Sequence, residues 1–169
     1  MSSVKSFNPI ANKSAQVIVL GSMPGTQSLK ANQYYAHPRN VFWRIMAEIF
    51  GFSVELPYES RVDALKDSGV ALWDVLHACV RVGSLDSAIE TGTRLPNDFA
   101  AFFKQHPNIK LVCFNGAEAE KSFNAFVLPQ LTVSGIKYVR LPSTSPAHAV
   151  LFEKKLAAWR AVLGDNEEN

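Results

Sequence analysis

Residues 21–43 read G-S-M-P-G-T-Q-S-L-K-A-N-Q-Y-Y-A-H-P-R-N-V-F-W, and they hold the densest set of groups able to do chemistry. Gly21 and Gly25 flank Pro24, so the backbone can turn sharply or approach a ligand closely. Tyr34, Tyr35, His37 and Asn40 follow in quick succession. Flat aromatic surfaces beside neutral hydrogen-bonding groups suit a planar, polar, uncharged ligand such as a nucleobase. Two adjacent tyrosines in a polar loop cannot both face one core, so one of them lines a pocket, and Tyr35 is taken as that one. Pro38 suits a first helical position, which puts Asn40 in the first helical turn, at the positive end of the helix dipole. On residues alone, Asn40 either satisfies a nearby backbone group or serves the ligand.

Those groups need a scaffold. Four short apolar runs, 15–20, 70–73, 109–114 and Lys137–Leu141, read as strands. Helical patterns separate them: Phe42, Ile45, Met46 and Ile49 on one stripe; Val62 and Leu65 before Gly69; a segment opened by Pro96 with Phe99, Phe102 and Phe103 inward; Ala117–Phe126; and Phe152, Leu156, Trp159 and Leu163. Alternating strands and helices imply right-handed crossovers. The expected fold class is therefore α/β, a three-layer α/β/α sandwich around a four-stranded, mostly parallel sheet. Ligands of such sheets bind at the carboxyl ends of the strands, where residues 21–40, Asp74, Asn115 and residues 143–148 all fall. Residues 1–169 read as a single domain with a core of about 15–163 and loose ends at 1–14 and 164–169.

Three further sites have a purely structural reading. Asn115, after an apolar strand and before Gly116, is placed to cap a helix. Asp74, at a strand end, is placed to pair with an arginine such as Arg81. Ser143, Thr144 and Ser145 before Pro146 suit a capped helix start, although serine hydroxyls and helix-terminal amides also make good phosphate ligands.

Tyr35-Ala36-His37-Pro38-Arg39-Asn40-Val41-Phe42-Trp43 resembles the first motif of the uracil-DNA glycosylase superfamily, whose mismatch branch reads G-I-N-P-G, then F-A-H-P-x-N-x-F-W. The first half departs, because Met23 stands where that branch carries its water-activating Asn. That departure, together with Phe114-Asn115-Gly116 and Leu141-Pro142-Ser143-Thr144-Ser145-Pro146, resembles the hypoxanthine-DNA glycosylase branch, over about residues 17–163.

The resemblance implies a monofunctional enzyme that flips a deaminated base, hypoxanthine above all, out of DNA and hydrolyses its N-glycosidic bond. It implies that Asn40, and beside it Asn115, are catalytic, with Asn40 holding a water below the sugar C1′ and stabilising developing positive charge. By the same resemblance Gly21, Ser22, Met23, Tyr35, Phe42 and Asp74 bind the base. Ser143, Ser145, Ala147, His148 and Arg39 then bind DNA, with Ala147 at the position of the wedge that fills the vacated stack. Lys30, Arg44 and Arg140 are further candidates for a phosphate-facing patch. No lysine stands at a motif position, which argues against a Schiff-base lyase step. Three alternatives stay open: a mismatch uracil-DNA glycosylase, a non-catalytic damaged-DNA or nucleotide-binding module, and a nucleoside hydrolase with a closed pocket.

Composition sets the remaining bounds. The chain has 47% hydrophobic and 19% charged residues and a net charge of +2. Without Asp165, Glu167 and Glu168 the acidic count falls from 15 to 12 against 17 basic residues, a net +5 that is compatible with a polyanion such as DNA. Cys79 and Cys113 read as buried, reduced thiols, and two cysteines cannot ligate an iron–sulfur cluster. The four histidines stand far apart, so no metal site and no cofactor is expected. No apolar run approaches the roughly 20 residues that span a bilayer. Together with the resemblance, these bounds lead to the expectation of a cytoplasmic monomer, nucleoid-associated if prokaryotic, acting on DNA that carries deaminated bases.

Overall fold

The computed structural model describes residues 3–164. Strands are β1 Ser3–Lys5, β2 Val17–Gly21, β3 Val70–Asp74, β4 Leu76–Val80, β5 Leu95–Pro96, β6 Leu111–Asn115 and β7 Lys137–Leu141. Helices are α1 Thr26–Ala31, α2 Phe42–Phe50, α3 Tyr58–Asp67, α4 Phe99–Gln105, α5 Ala117–Phe126 and α6 Phe152–Leu163.

The central sheet runs β3-β2-β6-β7, and every pair is parallel. Its strands are apolar throughout because both faces are covered. Ile18, Leu20, Ala71, Trp73, Val112 and Phe114 face α4 and α5. Val19, Val70, Leu72 and Cys113 face α2, α3 and α6, whose Trp43, Leu65 and Trp159 complete the second core. This is the expected three-layer architecture. From β2 the chain crosses to β3 on one side, and its next parallel strand, β6, adds on the other. The strand order therefore reverses between β2 and β6, and a cleft opens there at the carboxyl ends.

Four features depart from expectation. A second, antiparallel sheet, β1-β4-β5, is present, and only Val75 separates β3 from β4. The supposedly loose arm 3–14 is tied down: β1 pairs with β4, Ile10 bridges Leu72, and the Phe7 carbonyl accepts from Trp73 Nε1 at 3.0 Å. Gly164 belongs to the described residues, while the rest of the expected loose tail lies outside them. Pro96 sits in β5 and does not open α4. Asp98 starts that helix by accepting from the Ala101 amide at 3.1 Å, because a carboxylate cap satisfies an orphan N–H that proline cannot. Finally, α1 occupies part of the segment read as loop, and it carries one large apolar residue, Leu29, too few to announce a helix.

Candidate active site

The cleft has a volume of about 750 Å³ and is bordered by the carboxyl ends of β2, β3 and β6 and by the loop that follows β7. Its floor is Gly21. A Cβ there would lie 2.6 Å from Asp74 Oδ1 and 3.0 Å from Tyr35 Oη, so the position needs glycine for space. Asp74 Oδ2 and Tyr35 Oη are both buried without a hydrogen-bond partner. Such orphans are rare in a folded interior, where each costs about 1–3 kcal/mol. Asp74 is 3% exposed, and burial, then the Asp86 carboxylate, push its pKa up to about 7 against the pull of Arg81. The ion pair with Arg81, the structural alternative for Asp74, does not form. Arg81 donates from Nε to the Gly83 carbonyl at 2.8 Å and from Nη2 to the Pro24 carbonyl at 2.6 Å.

Tyr35 has φ +56°, a left-handed conformation that is unusual for a bulky residue and costs of order 1–3 kcal/mol. Its neighbours hold it there. The ring stacks on Phe42 at 4.2 Å, the Ala36 amide donates to Ser28 Oγ at 3.0 Å, and Trp43 Nε1 donates to the Tyr34 carbonyl at 2.8 Å. Burial and the Asp74 carboxylate raise the Tyr35 phenol above its ordinary pKa, so it remains an O–H donor; Asn115 beside it lowers the rise, although no well-aligned hydrogen bond joins them. Tyr34 is instead buried, its hydroxyl donating to the Asn8 carbonyl at 2.8 Å.

Every expected site residue except one borders the cleft. Phe42 is the exception: it is fully buried and supports Tyr35 from behind, because it opens α2 and faces the core. Asn40 lies before α2, not in its first turn, since the helix begins at Phe42 with Val41 at the N-cap. Its Oδ1 accepts from the Phe42 amide at 3.0 Å, which fixes the carboxamide orientation. Nδ2 is free to donate to a ligand, and Oδ1 keeps a second lone pair.

Asn115 is not the N-cap of α5; Gly116, at φ +98°, is. The Asn115 carboxamide clamps Thr144 at both ends, donating to Thr144 Oγ1 at 3.0 Å and accepting from the Thr144 amide at 2.9 Å. The Thr144 carbonyl in turn accepts from the Val41 amide at 3.1 Å, which ties the 143–148 loop to the turn carrying Asn40. That loop is no helix start, because α6 begins at Phe152. Ser143 Oγ accepts from the Ser145 amide at 3.2 Å and Ser145 Oγ from the Ala147 amide at 3.1 Å. Ala147, His148 and Arg39 are exposed on the rim, and Met23 is buried in the wall. Ser22 Oγ donates to Asp86 Oδ1 at 2.6 Å. Asp86 belongs to an exposed turn, yet its carboxyl is tucked inward and desolvation raises its pKa.

Of the other basic candidates, Arg140 pairs with Glu120 at 3.6 Å and Arg44 lies over the Phe152 ring at 3.6 Å, both away from the cleft, and Lys30 does not border it either. The sequence reading missed Lys155, which is 3% exposed and donates from Nζ to the Ser145 carbonyl at 3.0 Å. A lysine between helical charges gives no signal of burial. Among the described residues no His, Cys, Asp and Glu cluster suits a metal, and no helix is long and apolar enough to cross a membrane.

The fold and site define an α/β protein with a polar, aromatic-walled cleft at the switch point of its parallel sheet. The chain belongs to the uracil DNA glycosylase superfamily, whose family model matches residues 9–165. A curated protein from Methanosarcina acetivorans named hypoxanthine DNA glycosylase is 33% identical over 159 residues, covering 94% of this chain and 96% of that one. A namesake from Methanosarcina barkeri is 33% identical over 154 residues, covering 90% and 93%. The solution NMR structure of a uracil DNA glycosylase candidate from Methanosarcina acetivorans superposes with a TM-score of 0.81 at 31% identity, covering 95% of this chain and 96% of that one.

Proposed function

We propose that this protein is a monofunctional DNA glycosylase that extrudes deoxyinosine into the cleft and hydrolyses its N-glycosidic bond. The relatives' shared name supports the class, and one observation carries the substrate. Asp74 Oδ2 and Tyr35 Oη stand buried and unpartnered around the same glycine floor. An ionised carboxylate beside an O–H donor complements a lactam edge. Hypoxanthine offers N1–H to Asp74 and O6 to Tyr35, whereas adenine presents an acceptor and a donor in the reverse order. Asn40 contributes Nδ2, a donor suited to a water oxygen or to charge building on the departing base. The bonding electrons leave with the base, water adds to C1′, and its proton ends on the base. Asn115 acts through Thr144 as a positioning residue. The 143–148 loop, with Arg39 and His148, receives phosphate. The chain acts alone, since one copy supplies every wall of the cleft, in the cytoplasmic compartment that holds DNA and reduced thiols.

A second reading, uracil, is favoured by the same floor, because uracil N3–H is also flanked by carbonyls. Met23 weighs against it. The test is a duplex panel bearing deoxyinosine, uracil, xanthine and thymine mismatches, scored for abasic sites. Deoxyinosine should be cut fastest; a panel without abasic sites would leave a binding module as the better account.

A further inference from the structure

We propose that Leu85 is the side chain that enters the base stack when a nucleotide is drawn into the cleft, an inference that rests on the base-extruding reading above. Extrusion leaves a hole in the duplex, and proteins that unstack bases commonly fill it with an apolar wedge. Ala147, at the position the resemblance assigns to this task, offers one methyl group, too small to replace a purine. Leu85 borders the same cleft on the turn joining β4 to β5 and is 55% exposed. It is the largest exposed apolar side chain on that border.

The turn is built to hold Leu85 still. Its two neighbours are both anchored to the segment that follows β2, one to the start of α1 and one to Ser22. On one side Ser84 Oγ accepts from the Thr26 amide at 2.8 Å and donates to Thr26 Oγ1 at 2.8 Å. On the other, Asp86 Oδ1 accepts from Ser22 Oγ at 2.6 Å. Buried Arg81 braces the turn from below through the Gly83 and Pro24 carbonyls. A flexible loop would lose ordering entropy on insertion, and this one is already ordered. Leu151 is 72% exposed but does not border the cleft, and its carbonyl is engaged by the Lys154 and Lys155 amides at 3.1 Å each.

The experiment compares single-turnover excision of deoxyinosine opposite cytosine with excision of unopposed deoxyinosine in the same duplex, and records the fluorescence of a 2-aminopurine next to the lesion on binding. For Leu85→Ala the ratio of paired to unopposed excision should fall on the order of tenfold, because only the paired base must be forced out. The 2-aminopurine rise should shrink in parallel. Leu85→Met should restore both, and Leu151→Ala should match wild type. The ratio does not depend on the amount of folded protein. Equal losses on both substrates, no loss on either, or a pairing-selective loss in Leu151→Ala would overturn the proposal. If wild type excises nothing, the glycosylase reading fails, and the fluorescence alone decides: a rise that Leu85→Ala diminishes supports the plug, and no rise in wild type overturns it.

Discussion

The floor of the cleft and its 143–148 rim treat their polar atoms in opposite ways. On the floor, Asp74 Oδ2 and Tyr35 Oη are buried without partners, and Tyr35 is held in a left-handed backbone conformation. On the rim, Ser143, Thr144 and Ser145 are satisfied by their own loop, by Asn115 and by Lys155. The floor stores unmet hydrogen-bonding capacity at a cost in stability, which the base of the proposed function would relieve. The rim spends its hydrogen bonds on shape, and under the proposed function it presents a fixed surface to a backbone that is the same in every sequence. Selectivity should therefore reside in the floor and general affinity in the rim.

The sharpest way to test that division is at its boundary. Asn40→Ala should lower single-turnover excision of deoxyinosine on the order of 10²–10³-fold while leaving duplex binding nearly intact. Full activity in this variant would move the chemistry to another group.

Asp74→Asn tests the floor. It replaces a charge-assisted hydrogen bond with a neutral one, so excision at pH 8 should fall roughly tenfold and discrimination against deoxyadenosine should relax. Wild-type excision should rise as pH passes through about 7, because the ionised carboxylate accepts the lactam N–H, and the variant should lose that rise. Stability should move the other way. The folded-state pKa lies above the unfolded value, so this group makes the protein less stable as pH rises from about 4 to about 7, and the penalty is complete above it. Asp74→Asn should then melt higher than wild type at pH 8, by about 2–4 °C for each kcal/mol relieved, with the gain shrinking toward pH 4.

Tyr35→Ala should reduce the preference for damaged over intact duplex by several-fold in a binding titration, since stacking on an aromatic contributes about 1–3 kcal/mol per base. An unchanged preference would remove Tyr35 from the base pocket. Ser145→Ala should have the smallest effect, weakening both duplexes about equally. A selective loss on damaged DNA would show that the rim takes part in reading the base.

The parallel sheet was legible because strands buried on both faces are continuous apolar runs, and 15–20, 70–73, 109–114 and Lys137–Leu141 all announce themselves. The cleft was legible because parallel topology puts the following residues at one edge. Local sequence does not reveal where a carboxamide spends its hydrogen bonds. Asn40 and Asn115 are readable as important, but only the fold shows Asn40 oriented by the Phe42 amide and Asn115 committed to Thr144. The resemblance puts Phe42 on the base along with Tyr35, whereas helical phase turns it into the core. The second sheet is not legible because β4 follows β3 after Val75 alone, so the two run together in sequence, while its partners β1 and β5 have only three and two residues.

That small sheet has a consequence for handling the molecule. β4 is its middle strand, and β1, only three residues long, covers one side of it. Deleting the first few residues, or displacing them with a bulky fusion, would bare the main-chain donors and acceptors of Leu76–Val80. A bare strand of this kind is a template for pairing with its twin on another molecule, so self-association on storage, and not lost activity, would be the first sign of a disturbed N-terminus.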